Sequence, residues 1–127
     1  MNRVFAAGLV LLMGLQAPSL PAPAARTIDF TRDIKPILQN SCIKCHGRGR
    51  SKGGFSLETR DAMLEGGDSG AAIVVGESQK SHLITLVAGL DPDLVMPQKG
   101  SRLKPEQIGL LRAWICLLYT SPSPRDS

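Results

Sequence analysis

The sequence predicts a small all-α domain of about four short helices, on three observations. Apolar residues recur at spacings of three and four in four separate stretches, and no run of alternating apolar and polar residues competes with them. Pro, Gly, Ser and Asp punctuate the joins, as helix starts and stops require. The part able to build a core is residues 25–115, enough for one domain but a thin one, because the whole chain holds three Phe, one Trp and one Tyr. No internal repeat or linker divides it.

Residues 1–24 read as a secretory signal. Arg3 precedes an apolar run at residues 4–15, Pro18, Pro21 and Pro23 break any helix, and Ala22 and Ala24 satisfy an A-x-A cleavage pattern. The apolar run is well short of the ~20 residues of a spanning helix, so export is expected and a stable membrane span is not. The first helix is expected over residues 33–41, with Asp33 as N-cap and Pro36 in the first turn, where its missing N–H is harmless. Ile34, Ile37 and Leu38 share one face, and the helix delivers the chain to Cys42. A basic, glycine-rich loop at residues 47–54 follows, able to approach a ligand closely because glycine has no side chain. The second helix, residues 58–65, ends at Gly66 and Gly67.

Ser78 is the expected N-cap of the third helix, which carries Leu83, Ile84, Leu86 and Val87 and stops at Asp91, Pro92 and Asp93. The fourth begins with Pro105, with Glu106 near the positive end of the helix dipole. Its Ile108, Leu111 and Ile115, flanked by Leu110 and Trp114, form a face that must be buried. Residues 116–127, CLLYTSPSPRDS, are expected to stop that helix and to lie outside the fold. The string resembles the in-frame translation of a transposase sequencing adapter. The genuine sequence is therefore expected to end near Ile115, as a fragment of a longer protein, with Cys116 lacking a function.

Cys42, Cys45 and His46 stand together as Cys-Ile-Lys-Cys-His. C-x-x-C-H is the attachment signature of c-type haem: two thiols add across the porphyrin vinyls, and the next residue offers an imidazole to the iron. Two of the three cysteines and one of the two histidines lie in this window. A thioredoxin-like pair would expect a βαβ context, and a zinc site would need two more ligands, for which His82 and Cys116 alone remain, far apart. One covalent haem c per chain is the expected cofactor. It would also supply the large apolar core element that the thin domain lacks.

The net charge of +4 excludes little. Lys44, Arg48, Arg50 and Lys52 cluster around the motif, where they could steer an acidic redox partner or simply form a solvated loop. No base-stacking aromatics accompany them, so nucleic acid is not an expected partner. Met96 is the candidate for the second axial position, on a loop between two helices with Pro97 stiffening the backbone beside it. Met63, on a short helix, reads as core filler, and His82 as a solvent-facing histidine.

Residues 30–115 resemble the planctomycete-type cytochrome c domain. The resemblance rests on FTRDIKPILQNSCIKCHG, on GGFSLETRDAMLEGGDSGAAIVVGESQKSHLI and on VMPQKGSRLKPEQIGLLRAWI, in that order. It implies a cytochrome c-like fold with Cys42 and Cys45 as thioether anchors, His46 and Met96 as axial ligands to the iron, and the last helix packed across the first. It also implies the opening module of a longer secreted protein. Two positions depart from the pattern: Gln98 stands where a second proline is common, and Lys104 where Ser or Thr usually caps the last helix. The function expected is single-electron transfer outside the cytoplasm, to a redox partner protein or a downstream domain. No catalytic site of its own is evident. The alternatives are a haem enzyme or gas sensor with an open distal face, and a structural module of a larger secreted hydrolase.

Overall fold

The structure is a computed structural model that describes residues 20–47 and 49–118, together with Gly8. The apolar part of the expected signal, Arg48 and residues 119–127 lie outside the described residues. Within them the chain is all-α: the one β feature is an isolated bridge between Gly67 and Gly70. Five α-helices follow in order, α1 (Lys35–Ser41), α2 (Ile43–His46), α3 (Arg60–Glu65), α4 (His82–Val87) and α5 (Pro105–Leu117). No helix among the described residues is long and apolar enough to cross a membrane.

The first helical segment begins earlier than expected. A π-turn, Phe30–Ile34, precedes α1, and its N-cap is Asp29, whose carboxylate accepts the Arg32 N–H at 2.8 Å. Asp33 is therefore not the cap. It is 8% exposed, and its carboxylate is taken by Arg26 and Arg32. The extra helix relative to the expected four is α2, a single turn that carries Cys45 and His46.

Thr59, in extended backbone, caps α3 by accepting the Ala62 N–H at 3.1 Å, so this helix starts later than residue 58. It stops at Gly66, whose φ of 85° only glycine adopts freely and where a Cβ would stand 2.2 Å from the Gly70 carbonyl oxygen. Ser81, not Ser78, is the N-cap of α4, with Ser78–Lys80 forming a 3-10 turn before it. The Ser78 hydroxyl is instead fully buried and accepts from Arg112 Nε at 3.0 Å, 34 residues away. Pro105 opens α5 as expected. Lys104 cannot cap with its ammonium, but its backbone N–H donates to Gln107 Oε1 at 2.8 Å, which is half of a capping box.

One cluster makes the core: Ile34, Ile37 and Leu38 meet Leu57, Met63, Ile73, Leu83, Ile84 and Val87 over the buried face of α5. The two ends of the chain close it. Phe30 packs tilted on Trp114 with ring centroids 5.5 Å apart, so the first and last helical segments are in contact. The helix does not stop at Ile115: α5 continues through Leu117, and Leu118 is 5% exposed in the same cluster. Residues 20–24 also lie on α5. The Ala24 N–H donates to the Gly109 carbonyl at 2.9 Å, and Arg112 donates to the Pro21 carbonyl.

Candidate functional site

Cys42 ends α1, donating its N–H to the Leu38 carbonyl at 2.9 Å. Its φ of −124° leaves the helical path, so the chain turns there and restarts as α2. The N–H groups of Cys45 and His46 both return to the Cys42 carbonyl, at 3.2 and 3.0 Å. One turn thus holds both thiols and the imidazole. Both cysteines are half-buried and neither is in a disulfide. Burial pushes the Cys42 thiol up to about 11, the opposite of the lowered value that an attacking redox thiol uses.

His46 is braced by the strand of loop that returns past it. Its Nδ1 lies 3.1 Å from the Phe55 carbonyl oxygen, and its ring packs tilted against the Phe55 ring at 5.2 Å. A carbonyl can only accept, so Nδ1 carries the proton and Nε2 keeps its lone pair for a metal. The Leu57 N–H closes the arrangement on the His46 carbonyl at 2.6 Å. The chain can reverse this quickly because Gly53 and Gly54 both take positive φ, 64° and 70°. Sequence reasoning missed Phe55. The only signal was its place directly after that glycine pair.

Met96 sits on the loop after α4, as expected, with its N–H on the Leu86 carbonyl at 3.0 Å and its half-buried side chain packed against the core cluster. Met63 is 6% exposed in the core. His82 is the first residue of α4 and is half-buried, not fully turned to solvent. Lys44, Arg50 and Lys52 are exposed. Among the described residues no three His, Cys, Asp or Glu side chains gather as a metal cluster. Arg60 was not anticipated: its Nε is buried with no hydrogen-bond partner.

These features fit a covalently held haem. Two free thiols share a turn with an imidazole whose outer nitrogen is left available. Residues 42–100 match the family described as Planctomycete cytochrome C. Neither the curated proteins nor the solved structures hold a match.

Proposed function

We propose that this chain, whose residues 42–100 match the planctomycete cytochrome c family, is an exported electron carrier with one haem c, covalently held. The observation that carries the reading is the Nδ1–H of His46 on the Phe55 carbonyl, beside two free thiols on the same turn. It fixes the tautomer that ligation needs. Cys42 and Cys45 would hold the haem covalently through thioether bonds, and His46 Nε2 and the Met96 thioether would bind its iron. The haem supplies the one-electron couple when bound, and a thioether ligand favours its ferrous state. The protein's part is to hold both ligands so that neither state requires large rearrangement, and to surround them with the apolar cluster.

Residues 1–24 serve as the export signal, and the haem-binding domain runs from residue 25 through the end of α5, where Leu118 packs in its core. The partner is a redox protein, approached across the exposed Lys44, Arg50 and Lys52.

The test is expression alongside a haem-maturation system. The product should keep its haem through denaturing electrophoresis, and the pair Cys42→Ala and Cys45→Ala should lose it. The ferric protein should be low-spin with the near-infrared band of iron–thioether ligation. Met96→Ala should abolish that band, lower the potential and open the iron to carbon monoxide, while His82→Ala changes little. Haem retained without both thiols, or a low-spin state that depends on His82 and not on Met96, would overturn the assignment.

A further inference from the structure

Residues 20–24, the last five of the expected signal, pack as part of the folded domain. Leu20 lies against the core cluster. The Pro21 carbonyl accepts from Arg112, and the Ala24 N–H donates to the Gly109 carbonyl at 2.9 Å. The facing side of α5 is shaped to receive them. Gly109 is buried inside the helix, where glycine is less favourable than alanine, and the close approach of residue 22 accounts for it. A Cβ there would stand 2.7 Å from the Ala22 oxygen, a backbone atom that cannot swing aside. Arg112 is half-buried, with its Nε on the buried Ser78 hydroxyl, so losing Pro21 would take an acceptor from a partly desolvated cation. A cut after Ala24 would discard every one of these contacts.

A second cleavage pattern stands upstream. Ala17 and Ser19 are small residues in the same alternate arrangement as Ala22 and Ala24, and Ser19 falls four residues past the apolar run that ends at residue 15. A signal of residues 1–19 also lies within the roughly 15–30 residues that such segments span.

We propose that the export signal is cut between Ser19 and Leu20, and that residues 20–24 stay with the mature chain as a strap across α5. The inference rests on the export reading above and moves its boundary from residue 24 to residue 19. The step is hydrolysis by a signal peptidase: water adds across the Ser19–Leu20 peptide bond, Ser19 leaves with the carboxylate and Leu20 gains a free amine. The strap then joins the chain ahead of Phe30 to the last helix, alongside the Phe30–Trp114 contact.

The experiment is to export the full precursor alongside a haem-maturation system and read the N-terminal peptide of the product by mass spectrometry. It should begin Leu-Pro-Ala-Pro-Ala. Ser19→Leu, which places a large residue at the cut, should leave the precursor unprocessed or move the cut, whereas Ala24→Leu should be processed at the unmutated position. Both are read from the N-terminus whether or not the product folds. An N-terminus at Ala25 in the unmutated protein, or processing stopped by Ala24→Leu and not by Ser19→Leu, overturns the inference and leaves export standing. An exported chain that keeps residues 1–19 overturns it as well. A precursor that is not exported removes the export reading and the inference together. The strap has its own readout: a haem-loaded chain beginning at Ala25 should unfold at lower urea than one beginning at Leu20, and equal midpoints would show that residues 20–24 do not pack on α5.

Discussion

Asp33 accepts from Arg32 Nη2 and Nε at 2.8 and 3.1 Å, from Arg26 Nη1 and Nη2 at 2.9 Å each, and from the Asp29 N–H at 2.9 Å. The hydrogen bonds from Arg32, then those from Arg26, hold its carboxyl well below the usual carboxylate range. A group whose native pKa is lowered contributes stability that is whole above its unfolded value of about 3.9 and is lost as pH falls further toward the native value. Asp33→Asn should therefore melt below the unmutated protein from neutral pH down to about pH 5. The gap should narrow below about pH 4, where the unmutated protein loses the same contribution. Melting curves at stepped pH check this, and a gap that ignores pH would assign Asp33 a packing role alone. From sequence Asp33 reads as a helix cap, because Asp is a favoured N-cap and Pro36 then falls in the first turn. Arg26 and Arg32 are not legible as its partners, since two exposed arginines in a polar stretch match any nearby acid.

Gly109 shows how one missing side chain sets the fit of an element. A Cβ there would stand 2.7 Å from the Ala22 carbonyl oxygen, so residues 21–24 can lie against α5 only at a glycine. This puts the expected cleavage site, after Ala24, inside a packed contact, because the Ala24 N–H is bonded to the Gly109 carbonyl. Gly109→Ala separates two mature forms. If the chain begins at Ala25, the substitution should stabilise it by about 1 kcal/mol through helix propensity. If residues 20–24 remain, the clash should make it destabilising by about 1–3 kcal/mol. Denaturant melts of the two forms, with the mature N-terminus read by mass spectrometry, decide the matter. At this scale the existence of the main helices is legible from spacing and from Pro105 and Gly66. Their starts are less so: Ser78 and Ser81 are equally good caps by composition and both are fully buried, and it is Arg112, far along the chain, that engages the Ser78 hydroxyl.

The whole molecule depends on its ends meeting. Phe30 lies on Trp114, the Gly76 N–H donates to the Ile115 carbonyl at 3.0 Å, and Leu118 completes the core beyond Ile115. A chain ending at Ile115 should be less stable than one ending at Leu118 by about 2–5 kcal/mol, the cost of deleting a buried leucine. Equal urea midpoints would show that Leu118 does not pack in solution. The same ends divide what is local from what is not. The all-α class, the Pro105 start, the Gly66 stop and the grouping of Cys42, Cys45 and His46 follow from the sequence alone, because residues adjacent in the chain or one helical turn apart are neighbours however the rest folds. Phe55 behind His46, Arg112 on Ser78 and Ala22 over Gly109 are decided only by the tertiary structure. Each joins groups that the chain must fold back to bring together, and hydrogen bonding and close packing then select one partner from several of the same chemical type.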